Sequence, residues 1–222
     1  MTFSLAARCA RTGMLGVVIA SPGIAAGGRC AFARAGLGAV LSQHCTDPRL
    51  GRLGLEVLAQ GKTAQQTIDS LVVTAAPNHG WRQLAVLDPA GRTAHYSGGN
   101  IASSHAAAVR PGAVAIGNRL ANRLVPQAEV DAFAEDLRPH LAERLLRGLE
   151  AGLDCGGGVE PVRSAALLVV YRESFPAVDL RIDDDAAPIA ALRRLWQAWE
   201  PQIETFELRA LAPDRAGPVR PE

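Results

Sequence analysis

Apolar and polar residues alternate along TFSLAAR near the start of the chain, and a nearly continuous apolar run, MLGVVIA, follows at residues 14–20. A period of two marks a strand with one face buried, and an unbroken apolar run of this length suits a strand covered on both faces. RTG at 11–13 supplies a tight turn, so the two segments read as an antiparallel pair. SPGIAAGG reads as loop, and CAFARAG and LGAVLSQ (37–43) read as two further strands. The apolar character of the first two segments predicts a central place for the first strand.

The period then changes. Asp47-Pro48 has the form of a helix start, with Asp47 as N-cap and Pro48 at the first helical position. RLGRLGLEVLAQG carries Leu50, Leu53 and Val57 on one face with Leu58 alongside, and Gly61 ends it. Thr63 is the expected cap of a second helix, TAQQTIDSLVVTA, which stops at PNHG. WRQLAVLD and RTAHYSG flank Asp88-Pro89-Ala90-Gly91, a hairpin signal. GAVAIGN (112–118) is a further strand, and residues 126–152 are helical with Pro139 dividing them. LDCGGGVEP is loop, SAALLVVYR (164–172) and AVDLRID (177–183) form a last hairpin, and PIAALRRLWQAWE is an amphipathic helix opening at Pro188. The order lacks a regular strand–helix–strand alternation. It predicts an α+β fold, a four-layer α-β-β-α sandwich of two antiparallel sheets. A single domain is expected over residues 1–203, followed by a Pro/Arg-rich extension, 204–222, whose end is expected to be mobile.

Composition narrows the function classes. At 222 residues the chain suits one large domain, and 48% hydrophobic with 20% charged residues is ordinary for a globular protein. A formal charge of +1 gives no broad field for nucleic acid. Lys62 is the only lysine, which all but excludes Schiff-base chemistry. Cys9, Cys30, Cys45 and Cys155 show no CxxC spacing and fit a reducing compartment. Arg8 and Arg11 interrupt the apolar start, so no signal peptide is expected, and no apolar run reaches the length of a membrane span. A cytoplasmic location, with no membrane partner, is the expectation. His79, His95 and His105 lack metal-ligand spacing, and Asp183, Asp184 and Asp185 read as first-turn charge for the last helix. No metal or other cofactor is expected.

MTFSLAAR, GVVIAS, FARAGLGAVLSQ, DPRLGRLGLEVLAQG, RQLAVLDPAGR, AIGNRLAN, LAERLLRGLEAG, RSAALLVV and VDLRIDD follow one another from residue 2 to about residue 200. In that order and spacing the chain resembles the domain of unknown function 1028 family, of the N-terminal nucleophile (Ntn) hydrolase-like superfamily. The resemblance implies the same four-layer fold and a nucleophile at the chain start. Three stretches depart from the pattern expected of the family: HCTDP after Gln43, Arg119-Leu120-Ala121-Asn122 after Asn118, and CGGGVEPVRSA.

Thr2 is the residue that fits the nucleophile role. It is small enough to permit removal of the initiator methionine, which would leave a hydroxyl and a free α-amine on one residue. Such an amine titrates at about 7.7–8.0 and can serve the hydroxyl as general base. Gln43 and Asn118 end their strands and are candidate oxyanion donors, since a neutral amide stabilises negative charge without competing for the proton. Both also suit strand-end turns. Ser21 is a candidate proton relay or substrate contact, or a plain loop residue before Pro22. Arg34 is read as a cation lowering the amine's pKa or pairing a substrate carboxylate, or else as a salt-bridge partner of Asp183 or Asp184. His44 is expected to line the pocket. Its neighbour Cys45 makes a poor catalytic pair with it, because adjacent strand residues point to opposite faces. Asp47 is placed with the substrate-facing residues as well as at the helix cap. The expected activity is hydrolysis of a C–N bond in a small amide, ureide or lactam. The alternative is a non-catalytic small-molecule binding module or a homo-oligomeric scaffold, with Leu192, Leu195, Trp196 and Trp199 as a dimer face. A homodimer or higher homo-oligomer is compatible with either.

Overall fold

Two antiparallel sheets lie face to face, and helices cover both outer sides. The computed structural model describes residues 1–216. In chain order the elements are β1 (Thr2–Arg8), β2 (Leu15–Ser21), α1 (Ala26–Cys30), β3 (Ala31–Arg34), β4 (Gly38–Gln43), α2 (Pro48–Ala59), α3 (Ala64–Thr74), β5 (Gln83–Leu87), β6 (Thr93–Ser97), β7 (His105–Arg110), β8 (Ala113–Asn118), α4 (Val125–Glu135), α5 (Leu141–Asp154), β9 (Ser164–Val170), β10 (Val178–Ile182), α6 (Pro188–Trp199) and α7 (Ile203–Leu211). One sheet has the order β10-β9-β2-β1-β8-β7 and the other β3-β4-β5-β6. β1 is therefore interior, as its apolar pattern predicts. Helices α4, α5 and α6 pack on the larger sheet and α2 and α3 on the smaller one.

Three apolar layers hold the four structural layers together. Ala6, Val17, Ile19, Leu41, Leu87, Val114 and Ile116 fill the space between the sheets. Phe3, Leu5, Val18, Leu145, Leu149 and Leu167 lie between the larger sheet and its helices. Val40, Leu50, Leu58, Leu71, Leu84 and Val86 do the same for the smaller sheet. The strand period sorts β1 between two of these layers. Phe3, Leu5 and Ala7 face the helices, so Thr2, Ser4 and Ala6 face the other sheet. Burial at roughly 25 cal/mol per Å² makes this sorting the main determinant of which way Thr2 points.

The caps read from the sequence are in place. The Asp47 carboxylate accepts from the Arg49 amide, and Thr63 with Gln66 forms a reciprocal capping box. Asp88 accepts from the amides of Ala90 and Arg92 at the β5–β6 turn. Several expectations are corrected. SPGIAAGG is not all loop, because α1 begins at Ala26. β7, alanine-rich and poor in strand-favouring residues, is an additional strand that pairs with β8. The aspartate run divides its work: Asp184 pairs with Arg163, and Asp185 accepts from the Ala187 amide. Leu192 and Trp196 are buried within the chain, and Trp199 donates to the Ala177 carbonyl and stacks on Phe206. These tryptophans belong to the core side of α6 and not to an exposed face. The 204–222 extension is helical through Leu211, and its expected mobile end at 217–222 lies outside the described residues. No helix among the described residues is long and apolar enough to cross a membrane.

One buried charge stands out. Glu129 on α4 is fully buried, and neither carboxylate oxygen has a hydrogen-bond partner. It lies where α4 crosses α5 closely. A side chain at Gly148 or Gly152 would run into Glu129 and into Leu5 or Phe3. Desolvation raises the Glu129 pKa well above its ordinary 4.5. The folded protein then binds a proton that the unfolded chain releases, so the contribution of Glu129 to stability is most favourable at or below pH 4.5 and is lost as pH rises toward the folded pKa. Glu129→Met keeps the volume and removes the desolvation cost, and is expected to stabilise by about 1–3 kcal/mol at pH 8 while flattening that slope. Urea denaturation at pH 5 and pH 8 measures both effects. Equal pH slopes in the two proteins would show that Glu129 is not the titrating group.

Candidate active site

The register of the larger sheet lines up polar residues at one end. Asn118 on β8 is the direct partner of both Thr2 on β1 and His105 on β7, and Ser21 on β2 is the partner of Ser164 on β9. Side chains of directly paired residues share a face with Cβ atoms about 4.5–5.5 Å apart, which sets Thr2 beside Asn118. Thr2 Oγ1 lies 3.1 Å from Ser21 Oγ. The row opens into a cleft of about 460 Å³, also lined by Met1, Arg29, Cys30, His44, Cys45, Thr46, Arg119 and Glu160. A separate apolar cavity of about 380 Å³, lined by Met14, Tyr171, Trp199 and Phe206 among others, lies at the opposite end of β2 and β9.

Behind the cleft a buried amide chain ties the two sheets together. Ser4 Oγ donates to Gln43 Oε1 at 2.9 Å. Gln43 Nε2 donates to Gln83 Oε1 at 2.8 Å, and Asn118 Nδ2 donates to the same oxygen at 3.0 Å. Gln83 Nε2 donates to the Gly117 carbonyl at 3.0 Å. Gln83 is the hub, and the sequence reading did not single it out. Its only local mark is a polar residue opening an apolar strand, and its meaning depends on the β4–β5 register, where Gln43 pairs with Gln83.

Three assignments are corrected by placement. Gln43 is fully buried, its amide is committed to Gln83 and Ile116, and it does not line the cleft. It is a clamp between sheets, not an oxyanion donor. Arg34 is opposite Gly38, at the far end of β4 from Gln43, roughly 17 Å away along the strand. Its suggested partner Asp184 is paired with Arg163 instead. Asp47 caps α2 and pairs with Arg49 and Arg82, outside the cleft wall. Thr2, Asn118, Ser21 and His44 do meet at the cleft.

The cation near the chain start is Arg119, while the Arg29 guanidinium, also at the cleft, donates to the Ile24 carbonyl. Arg119 pairs with Glu160, and Glu160 Oε2 lies 4.0 Å from the Met1 amine. Burial holds that amine below its ordinary 8.0, Arg119 lowers it further, and Glu160 acts in the opposite sense. Arg119 and Glu160 fall in two of the stretches that depart from the family pattern, and nothing in the local sequence shows that they meet. Burial pushes the Cys30 thiol up, which keeps it protonated. The His44 ring engages the Trp81 carbonyl at 2.9 Å rather than Cys45. His44, Cys45 and Arg119 all have positive φ, at 54°, 43° and 51°. Left-handed backbone at non-glycine residues costs of order 1–2 kcal/mol each, and three such residues crowd this rim. Among the described residues no cluster of His, Cys, Asp and Glu is arranged to hold a metal ion.

The amide chain yields a direct test. Gln83→Met keeps the volume but leaves the Gln43 and Asn118 amides without their acceptor, and is expected to cost about 2–4 kcal/mol. Gln43→Met in the same background should add less than it costs alone, because the two share one network. Denaturant titration of the single and double variants reads this out, and simple additivity would argue against the network.

Two facing antiparallel sheets are thus flanked by helices, and the first residue of the interior strand β1 opens on a cleft. A protein of Silicibacter pomeroyi described as belonging to the DUF1028 family has a solved structure that matches with a TM-score of 0.82 at 28% identity, over 89% of this chain and 88% of that one. Anbu, an ancestral β-subunit, from Yersinia bercovieri matches at 10% identity and a TM-score of 0.41 over 99% and 100% of the two chains. A Gly-1 mutant of Anbu from Hyphomicrobium sp. strain MC1 matches at 15% identity and a TM-score of 0.45 over 92% and 97%. Both Anbu likenesses are too distant to carry an argument. No curated protein matches the chain. The model of the family of unknown function DUF1028 covers residues 2–192, and the chain belongs to that family.

Proposed function

We propose that this protein is an N-terminal nucleophile amidohydrolase that cleaves a C–N bond of a small amide, with Thr2 as nucleophile once the peptide bond before it has been cut. One observation carries the reading. Thr2 Oγ1 lies 2.6 Å from an amide carbonyl oxygen, that of Met1, inside a polar cleft that also holds Ser21 and Asn118. The freed Thr2 amine would take the Oγ proton as Oγ attacks the substrate carbonyl, then pass it to the departing amine. Ser21 Oγ donates to the Met1 carbonyl at 3.1 Å and is positioned to donate to the oxyanion. Asn118 spends one Nδ2 proton on Gln83 and keeps the other for the cleft. Water activated by the same amine would release the acid from the ester. The cleft volume supports a small substrate.

A second reading has its own support. While Met1 is attached, the Thr2 nitrogen is an amide and cannot act as a base. A chain that keeps Met1 would bind small molecules without turning them over.

Intact mass of the purified protein separates the two, since the hydrolase reading requires a chain starting at Thr2. In that form, Thr2→Ala is expected to abolish hydrolysis across a panel of small amides, ureides and lactams while leaving the melting temperature nearly unchanged. Undiminished turnover would remove Thr2 from the mechanism. The pH profile gives a further check. The Thr2 amine is expected to share the field that holds the Met1 amine below 8.0, so kcat/KM should climb with pH and level off below that value. Arg119→Gln removes a cation, raises the amine's pKa and should move the limb to higher pH.

A further inference from the structure

We infer that the slot filled by the Met1 side chain is the acyl subsite of this cleft, shaped for an unbranched apolar side chain of methionine's length on an α-aminoacyl amide. The inference rests on the Thr2 reading and adds to it a substrate class. Met1 is held as an acyl group would be. Its carbonyl oxygen accepts from Ser21 Oγ at 3.1 Å, a contact the acyl oxygen of an ester could keep, and from Thr2 Oγ1 at 2.6 Å, which holds the hydroxyl against the carbonyl group. Its side chain is only 1% exposed and joins the apolar cluster of Phe3 and Leu120. The wall of the slot is glycine: a Cβ at Gly158 would overlap the Met1 sulfur and Cγ. Gly158 is fixed by a β-bridge to Leu120, so the slot is part of the folded frame. At its polar end Glu160 Oε2 lies 4.0 Å from the Met1 nitrogen, which suits an α-amino group on the substrate.

The chemistry lets a substrate use the same slot. An acyl group on the threonine nitrogen and one on its Oγ are related through a five-membered ring of C, N, Cα, Cβ and Oγ. The acyl carbon of an ester on Thr2 therefore sits close to where the Met1 carbonyl carbon sits now. In the first step the Oγ–C bond forms, the substrate C–N bond breaks, and the Oγ proton leaves with the amine through the Thr2 α-amine. In the second, water adds to the acyl carbon, its proton returns to Oγ by the same route, and the α-amino acid departs. The gap left by methionine is apolar and narrow, with no room for branching beside Gly158.

The test uses the full chain beginning at Thr2, released from an N-terminal fusion, with ammonia release measured for glycinamide, alaninamide, valinamide, norleucinamide and methioninamide. Norleucinamide and methioninamide are expected to exceed alaninamide at least tenfold in kcat/KM, with valinamide below both. Gly158→Ala should reduce the methioninamide-to-alaninamide ratio about tenfold. In parallel, calorimetry on the Thr2→Ala protein measures norleucinamide binding, which needs no nucleophile and no variant of the slot. Binding without turnover in the Thr2 protein would support the slot and overturn the nucleophile. Turnover of amides without a preference for chain length would overturn the slot and leave the hydrolase reading standing. Neither binding nor turnover would overturn the inference outright.

Discussion

The interaction on which the site depends is the buried amide chain from Ser4 through Gln43 and Gln83 to Asn118. The layer between the sheets is otherwise apolar, and an apolar interface alone allows two sheets to slide at little cost. Amides in that layer cost several kcal/mol unless each finds its partner, and they find partners in only one relative placement of the sheets. The chain thus fixes the smaller sheet against β1 and β8, and so fixes Asn118 beside Thr2. Gln43 matters to the site through this placement, although it does not reach the cleft.

Around the fixed end the backbone is held in expensive conformations. The turn after β4 runs through two consecutive left-handed residues, His44 and Cys45, and the turn after β8 through a third, Arg119. The guanidinium of Arg82 bonds to the Cys45 carbonyl and, with Asp47, braces the first turn. Asp47 therefore supports the rim from behind as a helix cap. Strain of this kind persists only where the surroundings over-determine it, and here it shapes a mouth lined by His44, Cys45 and Arg119.

Electrostatics at the chain start follow from the same loops. Arg119 comes from the turn after β8 and Glu160 from the loop before β9, and they pair at the cleft, where Val159 also donates its amide to the Arg119 carbonyl. Burial and Arg119 together lower the pKa of the Met1 amine, and Glu160 acts in the opposite sense. A pair of opposite charge at that point is also able to orient a substrate that carries both an amine and a carbonyl.

The sequence by itself determined the layers. Period-two patterning in β1 and β2, helix-period patterning in α2 and α5, and the Asp47 and Thr63 caps are local signals, and burial of apolar surface enforces them whatever the rest of the chain does. The place of Thr2 at the end of an interior strand was legible for the same reason, and the structure sets it at the cleft. α1 and β7 were not, since glycine- and alanine-rich segments carry little propensity and are ordered by their neighbours. Gln83, Arg119 and Glu160 escaped because their roles exist only between strands and loops far apart in the chain. Arg34 was assigned by its strand-end position, and strand ends come in two kinds that a one-dimensional pattern cannot tell apart. Which polar residues converge is set by register and by the stacking of the sheets, where a shift of one residue reverses every side chain. Only the tertiary structure decides that.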